Sequence, residues 1–222
     1  EMDLTASGLI CRGGFHLLPA DNLPAAYRTL VLVGNAGPAM WQAFTKQRRD
    51  EDDPLDAWTR RTLTSAAARL GAETLFPFGG PPHHPFQRWA QRAKAVFSTP
   101  IGPLIHPEYG LWHAYRGALA FAQVIPLPQL KKLASLNKHT SPCTSCPDKP
   151  CLTTCPVNAF GDTYDVPACV RHLETAAGAD CMDHACRARR ACPVGREYRY
   201  DPTQARFHME KFLAARQRAG TG

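Results

Sequence analysis

Eight of the nine cysteines fall between Cys143 and Cys192, and their spacing has the form of a metal-cluster ligand set. The first run reads Cys143-x2-Cys146-x4-Cys151-x3-Cys155-Pro156. Cys169 follows alone, and the second run reads Cys181-x4-Cys186-x5-Cys192-Pro193. Thiolates are soft ligands suited to iron–sulfur clusters, and a bacterial ferredoxin run reads C-x2-C-x2-C-x3-C-P, its fourth cysteine serving the other cluster. Both runs here close on Cys-Pro, and eight thiolates are the complement of two [4Fe–4S] clusters. Crossing over assigns Cys143, Cys146, Cys151 and Cys192 to one cluster, and Cys155, Cys169, Cys181 and Cys186 to the other. The intervals are longer than in the compact ferredoxin run.

Other uses of thiols compete with this one. Structural zinc takes four thiolates, but its knuckles pair CxxC with CxxC, and this chain holds one CxxC. Disulfides suit small secreted domains, whereas 222 residues with 44% apolar content can bury an ordinary core. Iron–sulfur ligation is therefore the expectation and zinc the alternative. Cys11, the ninth cysteine, reads as a buried free thiol.

The formal charge of +7 points toward nucleic acid. Two thiolate-ligated clusters at about −2 each would lower it to roughly +3, so nucleic acid is not the expected partner. Arg171, Arg187, Arg189, Arg190 and Arg196 stand near the cysteines and partly offset that charge, or else form an ordinary solvated basic face. No apolar run reaches membrane-spanning length and no secretory signal is visible at the start, so a cytoplasmic setting off the membrane is expected.

Around the cysteines, the elements alternate. Leu9 to Leu18 reads as a strand or hairpin broken at Gly13-Gly14, and Thr29 to Val33 as a strand buried on both faces. Pro38 opens a helix to about Arg49. Asp53-Pro54 opens another that Gly71 ends. Ala72 to Phe78 is expected as a strand, Pro85 to Val96 as a helix, and Ile101–His106 and Gly117–Ile125 as further strands. A short helix to about Leu136 leads into a cysteine module at Lys138, and Thr203 to Arg218 form a polar, basic helix. The pattern is α/β, or α+β, with a ferredoxin-like appendix. Domain bounds are expected at 1–137, 138–200 and 201–222.

Phe15-His16-Leu17, TLVLVGNAGPAMW (29–41) and LIHPEYGLWHAYRGALAF (104–121) resemble, in order, the motifs of CblC-type cobalamin-processing proteins. The cysteine half resembles the epoxyqueuosine reductases, which join a CblC-like domain to two [4Fe–4S] clusters and also use a solitary cysteine between the runs; Cys169 holds that place. The resemblance implies a flavin-reductase or nitroreductase-like fold for the first domain. It also implies cobalamin bound base-off, with no protein histidine under the cobalt. The chain departs from the epoxyqueuosine enzymes at Phe78–Trp89, where no carboxylate stands in place of their aspartic general acid.

A corrin needs a flat, mostly apolar slot with a few polar groups for its amide rim. On the resemblance, Tyr109, Trp112 and Tyr115 would line such a slot, with Gly110 allowing close backbone approach. His106 and Arg116 would be its polar contacts. The opposing reading makes Trp112 and Tyr115 plain core and His106 a turn residue. His83-His84 would face the upper-ligand side, or lie on the surface, and a cobalt-facing role for Cys11 is a remote alternative. The implied activity is an oxidoreductase: clusters charged by an external ferredoxin or flavoprotein reductase reduce base-off cobalamin and remove its upper ligand, such as cyanide. An epoxyqueuosine reductase-like enzyme acting on tRNA, and a non-catalytic electron carrier or cobalamin chaperone, are the alternatives.

Overall fold

The apolar run at residues 29–33 becomes one of two inner strands of a sheet. The computed structural model of the chain describes residues 4–93, 96–127 and 140–220. It divides into two compact units, Glu1–Val96 with His113–Thr140 and Phe97–Trp112 with Ser141–Gly222.

In the first unit, β1 (Ile10–His16), β2 (Thr29–Ala36), β3 (Ala72–Leu75) and β4 (His113–Phe121) form a sheet of order β1-β2-β4-β3, antiparallel throughout. β2 is buried from Thr29 to Asn35, with Leu30, Leu32 and Val33 at 0% exposure, as a strand covered on both faces requires. Helices α1 (Ala39–Gln47), α2 (Pro54–Leu70) and α3 (Phe86–Ala93) pack on the sheet and bury Phe44, Trp58, Leu63 and Trp89. Each such side chain contributes about 1.5–3 kcal/mol on burial. Pro54 stands in the first turn of α2, and Gly71 ends it in the left-handed region, its N–H bonded to the Ala67 carbonyl.

The second unit is built of short helices: α4 (Pro150–Thr153), α5 (Val166–Leu173), α6 (Ala179–His184), α7 (Arg187–Ala191) and the longer α8 (Pro202–Gly220). Ile101, Ile105 and Leu111 share a core with Ala188 and Cys192, while Trp112, Ala185, Tyr200 and Ala205 form a second cluster. Residues 97–112, expected with the sheet, therefore belong to the cysteine unit because their apolar side chains are buried there. The terminal helix is likewise part of this unit: α8 buries Gln204 and Ala205 and packs on α6.

Several local expectations shift for identifiable reasons. Residues 101–106 make only the isolated bridges Phe97–Ile105 and His106–Gly110, since Pro100, Pro103 and Pro107 lack the N–H a ladder needs. β1 does not turn at Gly13-Gly14; its register shifts between Cys11 and Gly14 and the strand continues. The later strand runs His113–Phe121, and the one expected at 72–78 ends at Leu75. The expected helix to Leu136, the start of the cysteine module at Lys138 and residues 94–95 of the Pro85–Val96 helix lie outside the described residues. Among the described residues, no helix is long and apolar enough to cross a membrane.

Candidate cluster sites

Tight backbone turns set the cysteines. Lys149 (φ 38), Asn158 (φ 49) and Ala185 (φ 68) all lie in positive-φ conformations, next to or near Cys151, Cys155 and Cys186. Ala185 has ψ 169 and a buried methyl, a combination that costs about 1–3 kcal/mol and that the Trp112–Tyr200 cluster holds in place. Pro150 opens α4 with Cys151 beside it, and Cys155 follows the helix and accepts the Ala159 N–H at 3.4 Å.

These turns gather the eight thiols into two rings. Cys143, Cys146, Cys151 and Cys192 line one cavity, walled by Ile105, Val194 and several prolines. Cys155, Cys169, Cys181 and Cys186 line a second, walled by Val157, Phe160, Leu173 and Met209. The membership of each ring is the grouping that crossing over between the runs gives. None of the nine cysteines is in a disulfide. Among the described residues, no three His, Cys, Asp or Glu side chains close on one metal ion. The thiols instead surround a small apolar space, which is the donor arrangement a four-iron cubane takes.

Electrostatics oppose charging either ring by itself. Burial pushes the Cys151 thiol up, and Cys143, Cys192 and Cys146 raise it further. Burial likewise raises Cys169, Cys181, Cys186 and Cys192. Hydrogen bonds pull the other way: the Arg187 N–H to Cys181, the Ala188 and Arg189 N–H groups to Cys186, the Val194 N–H to Cys192 and the Tyr164 hydroxyl to Cys169. Four thiolates crowded in an apolar hole need a cationic centre, and a bound metal inverts the local balance. The nearby arginines divide their duties. Arg187 and Arg190 pair with Asp180 and favour a Cys181 thiolate, Arg196 favours that of Cys192, and Arg171 is exposed. Arg189 is structural: it spans the Trp112 and Tyr200 rings at 4.5 and 4.9 Å and donates two hydrogen bonds to the Leu111 carbonyl.

The six residues named for a corrin slot divide between the units. His106 accepts the N–H groups of Glu108 and Tyr109 at Nδ1 and stacks on Tyr109, the role of a turn residue. Gly110, at φ 55, lies against the Val194 carbonyl, and Trp112 is 1% exposed, a core position. Tyr115 and Arg116 stand on β4 of the sheet unit. Arg116 bonds Asp56 at 2.5 Å and Thr59, so its charge is already matched. Tyr115 lies beneath the Arg12 guanidinium; burial pushes its phenol up and Arg12 pulls it back.

The sheet unit holds features that sequence reading placed differently or missed. Cys11, expected buried, is exposed, just ahead of the register shift between Cys11 and Gly14 in β1. Arg12, its neighbour, is 2% exposed and reaches the Asn35 carbonyl and His113 Nδ1. His83 and His84 border an open cleft with Asp21, Arg88, Trp89 and Arg92. Tyr164 and Phe160, stacked at 4.8 Å beside the second ring, were also missed; an aromatic shortly before the solitary cysteine was the available signal.

The fold is thus a mixed α/β sheet unit joined in sequence to a helical unit with two rings of thiols. No protein-family model matches the sequence, and no curated protein sequence matches it. Among solved structures, that of a C. elegans B12-trafficking protein CblC, a human MMACHC homologue, is similar with a TM-score of 0.51 and 18% identity, over 91% of this chain and 85% of that one. Epoxyqueuosine reductase from Streptococcus thermophilus is similar at 0.48 and 14% identity, over 89% of this chain and 65% of that one. An epoxyqueuosine reductase bound to an epoxyqueuosine-modified tRNA-Tyr stem loop gives 0.49 and 14%, over 90% and 64%. The chain therefore spans just under two thirds of the length of those two reductases, and it shares its fold with CblC.

Proposed function

We propose that this chain is an iron–sulfur oxidoreductase acting on cobalamin. In this reading Cys143, Cys146, Cys151 and Cys192 hold one [4Fe–4S] cluster, and Cys155, Cys169, Cys181 and Cys186 hold the other. When bound, the clusters supply one-electron transfer from an external ferredoxin or flavoprotein reductase to base-off cobalamin, whose cobalt is reduced and whose upper ligand is lost. The observation that carries the proposal is the gathering of eight cysteines into two separate apolar rings of four, in a chain whose fold is similar to that of CblC.

The chain's own residues do the positioning. The turns at Lys149, Asn158 and Ala185 orient the sulfurs, N–H and O–H donors stabilise their charge, and apolar walls keep water from the ring interiors. Cobalamin enters as substrate, taken by the CblC-like sheet unit. There Tyr115 and Arg116 on β4 are the remaining contacts from the sequence, Arg116 at the expense of its Asp56 pair.

The test is turnover of cyanocobalamin with excess reductant by the anaerobically reconstituted protein, beside Cys146→Ala. Release of cyanide by the wild type and its loss in Cys146→Ala support the proposal. An unchanged cobalamin spectrum on mixing and reduction would remove it.

A further inference from the structure

We propose that the cleft beside α3 in the sheet unit binds the phosphate group of a small organic phosphate, with Arg88 and His83 as its two donors. The proposal rests on neither the cluster reading nor the cobalamin reading.

The charge of the chain is unevenly divided. The stretches 1–96 and 113–140, which make up the sheet unit, carry fifteen of the 26 Lys and Arg residues against nine of the 19 Asp and Glu residues. The cysteine unit carries eleven against ten. The surplus that draws anions therefore belongs almost wholly to the sheet unit.

Within that unit the cleft gathers cationic side chains around a single carboxylate. The turn at residues 20–23 and the segment 82–85 border it, and Arg88, Trp89 and Arg92 reach it from α3. Asp21 is the carboxylate, and both of its oxygens are taken. Arg92 donates to Oδ1 at 2.5 Å and the Leu18 N–H to Oδ2 at 2.7 Å, leaving the side chain 11% exposed. Arg92 also donates to the His16 carbonyl at 2.7 Å and lies 4.2 Å over the Phe15 ring. Asp21 and Arg92 thus cancel each other's charge and form a fixed wall, and neither sets the sign of the cleft.

Arg88 sets it. Its side chain is exposed and, among the described residues, has no hydrogen bond or ion pair. Across the cleft, His83 places Nδ1 3.2 Å from the Gly79 carbonyl, which leaves Nε2 as the nitrogen open to a ligand. A protonated ring donates at both nitrogens, one to Gly79 and one to a bound anion. A guanidinium and an imidazolium from two separate elements suit a tetrahedral dianion, which offers oxygens in several directions, better than a planar carboxylate. His84, stacked on Trp89 at 5.3 Å, and Leu23, Pro82 and Pro85 add apolar surface for the organic part of the ligand.

The experiment is calorimetric titration of the full chain with inorganic phosphate, phenyl phosphate and acetate, at constant ionic strength in chloride. One saturable site is expected, phenyl phosphate binding most tightly and acetate most weakly. Arg88→Gln should weaken phosphate binding about tenfold or more, as loss of a charged hydrogen bond does. His83→Gln should weaken it less. Arg69→Gln, which alters an exposed arginine bonded to Ser65 outside the cleft, should leave it unchanged. Both cleft side chains are exposed, so the variants should keep the wild-type dichroism spectrum. No saturable binding over chloride, or an equal loss in Arg69→Gln, overturns the site. Acetate binding as tightly as phosphate overturns its assignment to phosphate, and equal affinity for the two phosphates overturns the apolar contribution.

Discussion

Gly195 lies against the backbone of Gly110. A Cβ built on Gly195, at φ 69, would stand 2.5 Å from the Gly110 nitrogen, and one on Gly110, at φ 55, would overlap the Val194 carbonyl. Within the cysteine unit, this pair fixes the turn after Cys192 against the His106–Gly110 turn, which the Tyr198 hydroxyl also ties down through Glu108 at 2.7 Å. Gly195→Ala should therefore destabilise the unit by about 2 kcal/mol or more, from left-handed strain and overlap together. Denaturant unfolding followed by near-UV dichroism checks this, and a change below a few tenths would show that the contact is slack.

Ligand removal should follow the rings and not the order of the sequence. Cys143→Ser and Cys192→Ser, far apart in the chain, should each reduce iron from about eight to about four atoms per chain, and the double variant should lose no more. Cys155→Ser should behave differently from its neighbour in sequence, Cys151→Ser, because the two line different cavities. Combined with Cys192→Ser, Cys155→Ser should leave almost no iron. Iron analysis of the purified variants distinguishes these outcomes.

Arg116→Ala should cost about 1–3 kcal/mol, since it leaves Asp56 without its partner on a half-buried surface and Thr59 without its bond. Asp56→Asn should cost less, because the Arg116 side chain keeps Thr59. Thermal unfolding of both variants measures the difference. Equal and negligible losses would show that the pair contributes nothing.

His84 stacks on Trp89 at 5.3 Å, and burial lowers its pKa from the ordinary 6.5. Its folded value is depressed, so the neutral ring's contribution is fully present above pH 6.5. It is lost as the pH falls from there through the folded value. Proton NMR should show His84 titrating below pH 6.5. His84→Gln should flatten the stability profile below pH 6.5. A His84 midpoint at or above 6.5 would contradict this.

Much of this architecture was legible because it rests on local signals. The apolar run of β2, Pro54 and Gly71 at the two ends of α2, and the intervals between cysteines each reflect short-range chemistry. What sequence reading missed depends on contacts between distant residues. Ile101 to His106 looked like a strand of the first domain, and only the burial of Ile101 and Ile105, together with Leu111, against Ala188 and Cys192 assigns this stretch to the cysteine unit. Trp112 and Arg116 are ambiguous in sequence between ligand contact and structural role; what sequence could not show is that Arg189 lies over the Trp112 ring and Asp56 pairs with Arg116. Tyr164 was missed because an aromatic shortly before the solitary cysteine is a faint signal until the fold sets it beside Cys169.

The account stands or falls on what the two rings hold. Iron, acid-labile sulfide and zinc should be measured together on protein purified without oxygen. About eight iron and about eight sulfide per chain are expected. One or two zinc ions per chain, without sulfide, would contradict the account at its centre.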